Sequence, residues 1–328
     1  MNRREFTCAL GLTALGLGVG RSLTAVAKNR PEIAITIDDF NWNKSVKLDP
    51  DQRNQALLAA LRSHGNLKAA LFVTCRFADN DKGRQLLKDW DRAGHLIGNH
   101  SYSHKYLNSS KVTAEVFNAD IEKCGELIKS FPQFQKSFRF PYLKEGESAA
   151  KRDAVRNFLK EKGYRIGHVT IDASDWAIED RLSARLAKDP AADVRPYRDF
   201  YLSHMWERSL YYDDLARKVL GRPVKHTILM HYNLLNALFL GDLLEMFRSK
   251  DWKLIDAADA FKDPVFAATP NIVPAGESII WALAKETGKF DNCSAIPAKT
   301  AFTKTRRWIS WDCKCLITTS PSTETRIA

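Results

Sequence analysis

The chain has 328 residues, 45% of them hydrophobic, which is enough apolar material for one large domain or two small ones around a full core. Fifty Lys and Arg against 39 Asp and Glu give a formal charge of +11, but there is no Lys/Arg run and no recognised nucleic-acid motif. The charge therefore reads as a solvated basic surface suited to anionic envelope polymers, and no nucleic-acid partner is expected. The six cysteines have no Cys-x-x-Cys spacing, which excludes a cysteine-built metal framework.

In chain order, residues 1–27 read as an export signal of the twin-arginine type. Arg3-Arg4-Glu5-Phe6 precedes an apolar, Gly-rich run from Cys8 to Val19, and Ala25-Val26-Ala27 supplies small residues for cleavage. The run is short for an uncleaved membrane anchor and no other segment is apolar enough to span a bilayer. An exported protein, periplasmic or secreted, with no stable membrane insertion after signal cleavage, is expected. Cleavage leaves Cys75, Cys124, Cys293, Cys313 and Cys315; a twin-arginine substrate folds before export, so no disulfide is assigned.

From residue 31 to about 262 two periodicities alternate. Apolar, β-rich runs at 33–37, 69–75, 95–98, 137–140, 164–171, 226–230 and 252–255 predict seven strands. Helical patterns fill most gaps, at Asp51 to Ser63, Lys82 to Ala93, Thr113 to Phe131, Ala149 to Lys162 and Leu234 to Lys250, with Gly65, Gly94 and Gly163 placed to stop three of them. Strands separated by helices predict a parallel sheet, and roughly 230 residues suit a closed or nearly closed (β/α) barrel. A doubly wound open sheet is the alternative, because periodicity alone cannot close a barrel.

Polar residues fall where the runs end. Asp38 and Asp39 are adjacent carboxylates at the end of an apolar strand, costly there unless something cationic waits for them. His100 and His104 follow the third run; four residues apart on one helical turn, they could aim both rings at one metal ion, given a third, anionic ligand from elsewhere. Taken alone the pair could equally be two surface histidines. Arg139 with Pro141-Tyr142 follows the fourth run, Asp172 and Asp175-Trp176 the fifth, and His231 the sixth. Arg139 could be a surface ion pair, and Asp175-Trp176 a turn with a core tryptophan. In a parallel barrel, however, all these strand ends open onto one face. His64, His95, His168, His204 and His226 have no evident partner and are read as structural or solvent-facing, His95 as a buried, hydrogen-bonded residue on its strand.

With those residues in order, the chain resembles the polysaccharide deacetylases of carbohydrate esterase family four, the NodB-homology enzymes. Their motifs stand here as Thr36-Ile37-Asp38-Asp39, His100-Ser101-Tyr102-Ser103-His104, Arg139-Phe140-Pro141-Tyr142, Asp172-Ala173-Ser174-Asp175-Trp176 and Leu229-Met230-His231. The resemblance implies a distorted, seven-stranded (β/α) barrel, a bound divalent metal, usually zinc, and hydrolysis of N- or O-acetyl groups on a polysaccharide or oligosaccharide. It implies Asp39, His100 and His104 as metal ligands, with positions left for water and the substrate carbonyl. Asp38 becomes the general base, paired with Arg139, and His231 the general acid, oriented by Asp175. The backbone N–H of Tyr142 joins the metal at the oxyanion, and Trp176 stands on the substrate side.

Two departures from the family pattern are Ile37 where Phe is common and Tyr232 after His231 where Asp is frequent. The long connection after Trp176 carries Tyr197, Phe200, Tyr201, Trp206, Tyr211 and Tyr212, either a sugar-stacking wall or core at helical spacing. Residues 28–265 are read as the deacetylase domain and 266–328 as an irregular C-terminal extension with one helix, Ser278 to Glu286. The resulting expectation is an exported, metal-dependent deacetylase of an N-acetylated sugar polymer. A hydrolase of another small amide on the same fold, or an inactive carbohydrate-binding relative, are the alternatives; intact Asp38 and His231 weigh against the last.

Overall fold

β1 (Glu32–Asp38) is buried along almost its whole length. Ile33, Ile35 and Ile37 pack with the helices on one face, while Ala34 faces a second cluster with Ala70, Phe72 and Ile255 on the other, so a strand covered on both sides needs no polar alternation. The computed structural model describes residues 30–289. The expected signal, Cys293, Cys313, Cys315 and residues 290–328 lie outside that range.

The chain continues through α1 (Pro50–Ser63), β2 (Ala70–Val73), α2 (Asp81–Arg92), β3 (Leu96–Asn99), α3 (Ala114–Ile128), β4 (Phe134–Phe138), β5 (Lys144–Gly146) and α4 (Ala149–Glu161). It then forms β6 (Arg165–Ile166), β7 (Ile171–Asp172), α5 (Asp175–Lys188), α6 (Arg195–Leu220), β8 (Lys225–His231), α7 (Leu234–Ser249), β9 (Lys253–Leu254), α8 (Ala257–Ala260), β10 (Ala275–Gly276) and α9 (Ile279–Glu286). Local chemistry starts the helices: Asp49 and Gln52 close a capping box on α1, and Asn80, Thr113, Ser148 and Asn233 cap α2, α3, α4 and α7.

The main sheet runs β6-β4-β3-β2-β1-β8-β7 with every pair parallel, and β9 pairs with β1 off this path. Laid flat, seven strands would hold their outer members about 29 Å apart. The five peptide steps from Ile166 at one edge to Ile171 at the other reach at most about 17 Å, so the sheet has to curl into a half-barrel. The expected seven-stranded distorted barrel is therefore present, with different membership. The apolar run 164–171, read as one strand, is two strands at opposite edges, and the run 252–255 is the accessory strand. The break falls at Gly167, where an added Cβ would lie 2.5 Å from the Phe72 ring. Gly98 makes the same room from the other side, and the Arg139 guanidinium lies 3.9 Å from the centre of that ring.

Residues beyond 265 are part of the same packing. Ile279 and Ile280 join the main core, and the segment before them crosses the open edge: Glu277 N donates to Leu143 O at 2.7 Å, Ser278 Oγ to Thr170 O at 2.7 Å and Ile279 N to Val169 O at 2.8 Å. The boundary expected at residue 265 therefore does not interrupt the core.

The long connection forms α5 and α6. Tyr201 and Tyr212 are fully buried, and Trp206 packs edge-on against Phe247 and Trp252, so these aromatics belong to the core and the sugar-wall reading of them is overturned. Cys75 and Cys124 form a disulfide, Cα atoms 5.2 Å apart, contrary to the absence expected. Their separation of 49 residues follows no motif; they meet because α3 packs beside the turn after β2. Among the described residues no helix is long and apolar enough to cross a membrane.

Candidate active site and metal group

β1 ends at Asp38, β3 just before His100, β4 just before Arg139, β7 three residues before Asp175, and β8 at His231. Parallel strands bring these ends to one edge of the sheet. β1 and β8 pair in full register, with Asp38 directly opposite His231.

Asp39, His100 and His104 converge there, with one ligand atom from each lying within 4.8 Å of the others. Asp39 Oδ1 is 3.0 Å from His104 Nε2 and 3.4 Å from His100 Nε2. His100 Nδ1 donates to the Arg139 carbonyl at 2.8 Å, which fixes its proton on the far side and turns the Nε2 lone pair toward Asp39. One carboxylate and two imidazoles with lone pairs facing one point are the donor chemistry of a divalent ion, so the residues fit such a group. Burial works to raise the Asp39 carboxyl, but the two imidazoles beside it outweigh burial and hold it well below the ordinary carboxylate range.

The two histidines do not sit on a helical turn, as their spacing suggested. They lie in a loop whose backbone turns left-handed at Ser101 (φ 64°) and His104 (φ 57°). Asp39 (φ 60°) also leaves the extended conformation, and Tyr142, Leu143 and Ser174 do the same at other strand ends. Such conformations cost roughly 1 kcal/mol or more per residue and need outside support. The His loop has it. Asn99 Oδ1 accepts Ser101 N at 2.8 Å, Ser101 Oγ accepts His104 N at 3.0 Å, and the buried Asp120 of α3 accepts Ser103 N, Ser103 Oγ and Lys105 Nζ at 2.8, 2.7 and 2.8 Å. Cys75 N and Arg76 N donate to Ser101 O and Tyr102 O from the opposite side.

Two charge pairs flank this group. Asp38 Oδ1 meets Arg139 Nη1 at 2.7 Å, both residues nearly inaccessible, and Arg139 is anchored by Nη1 to Thr36 Oγ1 (2.9 Å) and by Nε to Gly167 O (2.7 Å). His231 Nδ1 donates to Asp175 Oδ1 at 2.6 Å, while Asp175 Oδ2 accepts His231 N, Asn236 Nδ2 and Asn233 Nδ2 at 3.0, 2.6 and 3.2 Å. Burial presses the His231 pKa down, but the Asp175 carboxylate beside it prevails and pushes it up to about 10. Arg139 is thus a buried site residue, and Asp175 a buried partner of a histidine. Trp176 is 42% exposed, not a core side chain, and Tyr142 is 56% exposed with its ring 4.5 Å from that of His104.

Residues 25–167 match the family model described as polysaccharide deacetylase. Those residues carry a polysaccharide deacetylase domain. A peptidoglycan-N-acetylglucosamine deacetylase of Bacillus cereus is 30% identical over 150 residues, covering 45% of this chain and 47% of that one. A second Bacillus cereus protein of the same description is 25% identical over 181 residues, covering 54% and 60%. The chain thus spans about half the length of the curated relatives it matches. Among solved structures, a carbohydrate esterase family 4 pseudoenzyme from Bacillus anthracis is similar with a TM-score of 0.51 at 17% identity, over 71% of this chain and 66% of that one. A mutant pseudoenzyme of that family with restored activity gives 0.51 at 19%, over 71% and 68%. These structural likenesses speak to the fold.

The family match ends before Asp175, Trp176 and His231, so the second half of the site stands on its own geometry. There Tyr232, which replaces a frequent Asp, points away from the site. It is buried, and its hydroxyl donates to Asn54 Oδ1 at 2.6 Å between α1 and α2, so the departure concerns packing and not the acid. Ile37 is likewise core. Asn233, Asn236, Asn99 and Asp120 escaped the sequence reading; the first is visible as a helix cap, and the others carry no local signal. The remaining histidines lie off the site: His95 Nδ1 accepts Ala69 N, His204 Nε2 donates to Ala173 O, His226 bridges Thr170 and Asp213, His168 lies beside Glu145, and His64 Nδ1 donates to Ala60 O.

Proposed function

We propose that the protein is an exported, metal-dependent hydrolase that removes acetyl groups from an N-acetylated sugar polymer or oligosaccharide. One observation carries this reading: a carboxylate–bis-imidazole group stands at the same strand ends as a buried carboxylate, Asp38, and a histidine, His231, that is held protonated by Asp175. Binding a glycan requires neither a general base nor a general acid; hydrolysing an amide requires both.

In this reading Asp39, His100 and His104 would hold a divalent ion, zinc by family resemblance, which would supply Lewis-acid polarisation of the acetyl carbonyl and of a water. Asp38 accepts the proton of that water as its oxygen bonds to the carbonyl carbon. Arg139 holds the Asp38 carboxylate in place through the contact at 2.7 Å. The Tyr142 backbone N–H stabilises the oxyanion. The C–N bond then breaks as His231 delivers its Nε2 proton to the departing nitrogen, leaving acetate and a free amine. Asp175, bound at Nδ1, fixes the tautomer that this transfer needs. Exposed Trp176, one residue from Asp175, lies on the substrate side.

Acetate release from N-acetylglucosamine oligomers, peptidoglycan and acetylated xylan, with metal content analysed alongside, tests the proposal. Release that depends on bound metal is the expected result; none from any substrate by fully metal-loaded protein would refute it.

A further inference from the structure

Tyr142 and Leu143 both take positive φ, 60° and 54°, a region that neither side chain enters freely. Leu143 N donates to Phe140 O at 3.0 Å across Pro141 and Tyr142, and with φ 60° and ψ 12° Tyr142 fills the place that a type II turn ordinarily gives to glycine. That sign bears on the proposed chemistry. Turns of types I and II differ chiefly in the direction of their central peptide, here Pro141–Tyr142, so a Tyr142 relaxed to negative φ would turn its N–H to the other side. The turn has to be kept from relaxing.

The hold comes from a later part of the chain, beyond the residues that match the family model. β10 pairs antiparallel with β5, which begins directly after the turn, and this sets Gly276 opposite Lys144 and Ala275 opposite Gly146. Glu277 N donates to Leu143 O at 2.7 Å, and the Glu277 carboxylate pairs with Lys144. Gly276 passes so close that an added Cβ would lie 2.0 Å from Leu143 O, and its φ of 120° suits glycine alone. On its other side the segment is tied by Ser278 Oγ to Thr170 O and by Ile279 N to Val169 O, and Ile279 and Ile280 behind it belong to the core. The Leu143 side chain packs with Val169 and Leu229. Its carbonyl and its side chain are thus both held, and the turn cannot relax without parting from Glu277.

We propose that Gly276 and the backbone N–H of Glu277 are positioning elements: the strap they form holds Leu143 left-handed and so keeps the Tyr142 N–H turned to where the acetyl oxygen gathers charge. The role of that N–H rests on the deacetylase reading. The hold on the turn does not, and the two are measured apart.

Gly276→Ala is compared with the parent as metal-loaded full chain, by acetate release from an N-acetylglucosamine oligomer. kcat should fall about 10- to 10³-fold, the upper bound being the loss of an oxyanion donor, with KM and metal content unchanged. Ser278→Ala loosens the strap without a steric conflict and carries the test if Gly276→Ala does not fold; it should lower kcat about two- to tenfold at the same KM. Ile280→Ala, in the core outside the strap, should lower the melting temperature and leave kcat as it was. The turn itself is read by NMR of zinc-loaded protein labelled with nitrogen-15 at tyrosine, the Tyr142 amide signal being assigned by its absence in Tyr142→Phe. That signal should move in Gly276→Ala and Ser278→Ala and stay in Ile280→Ala. Strap variants that merely melt earlier, with kcat and the Tyr142 signal as in the parent, would overturn the proposal, and so would a KM and metal content that change along with kcat. If the parent releases no acetate while both strap variants still move the Tyr142 signal, the deacetylase reading falls and the hold on the turn stands.

Discussion

Asp175 receives His231 twice, through the ring Nδ1–H at 2.6 Å and through the backbone N–H at 3.0 Å. The imidazole is tied to its partner by both side chain and chain direction, which leaves Nε2 as its only free nitrogen. Asn236 Nδ2 also bridges Asp175 Oδ2 and the His231 carbonyl, and Tyr201 in turn donates to Asn236.

Asp175→Asn should lower the His231 pKa from about 10 toward its ordinary 6.5. Because the folded value is raised, the ion pair's contribution to stability is complete below pH 6.5 and is lost as pH rises through about 10. The variant should therefore lose stability at pH 6 and little at pH 11, and its alkaline limb of activity should move down. Imidazole NMR of metal-free protein with thermal melts at both pH values measures this; an unchanged titration would refute the assignment.

The adjacent carboxylates should separate metal binding from proton transfer. His104→Ala or Asp39→Ala should empty the site and abolish activity together, whereas Asp38→Asn should keep its metal and lose roughly 10²–10⁴-fold in turnover. His231→Ala should keep the metal too, and lose more on amides than on an activated acetyl ester. Metal analysis beside kinetics reads these outcomes; a full site in Asp39→Ala would exchange the two carboxylates' roles.

Cys75 and Cys124 join the two elements between which the His100–His104 loop is held: Cys75 N binds Ser101 O, and α3 carries both Cys124 and Asp120. Replacing both cysteines by Ser should cost about 4 kcal/mol for a loop of this length. It should also weaken metal affinity roughly tenfold, the lower end for residues that hold ligands in place. Competition with a chelator measures the second effect at temperatures where the variant is folded.

Trp206→Ala should destabilise the protein by about 3 kcal/mol, as removal of a core ring does. It should leave the ratio of affinities for a pentamer and the monomer of N-acetylglucosamine unchanged. A fall in that ratio without loss of stability would return α6 to the substrate side.

The proposed export depends on Arg3 and Arg4. Replacing both by Lys should strand the precursor in the cytoplasm, and N-terminal sequencing of envelope protein should begin near Lys28. Envelope protein that still starts at Met1 would refute cleavage.

Much of this molecule could be read from its sequence because parallel strands convert order along the chain into position at an edge. Asp38, His100, Arg139, Asp175 and His231 are far apart in sequence, and strand ends are a local signal that survives the distance. What did not survive was geometry made by loops. The His100–His104 spacing looks helical, and only the left-handed Ser101 and His104, supported by Asn99 and Asp120, show that it is not. The run 164–171 reads as one strand because nothing in its periodicity records that Phe72 fills the space beside Gly167. The aromatics of α6 were ambiguous for the opposite reason: helical spacing identifies a face, and only packing against Phe247 and Trp252 identifies what that face meets.

The four residues 167–170 link β6 and β7, which have no strand between them on that side of the sheet. One follows Arg139 and Tyr142 in the chain; the other leads to Asp175. Their separation is thus set by covalent length together with the 277–279 segment bonded across the opening, so the connector works as a gauge between the two flanks of the site. Inserted residues are absorbed cheaply in the 189–194 loop between α5 and α6, whose ends carry no chemistry. A single glycine added at 168 or 169 would let the two edges drift, and descendants of this chain should vary freely in length at the first position and hardly at all at the second.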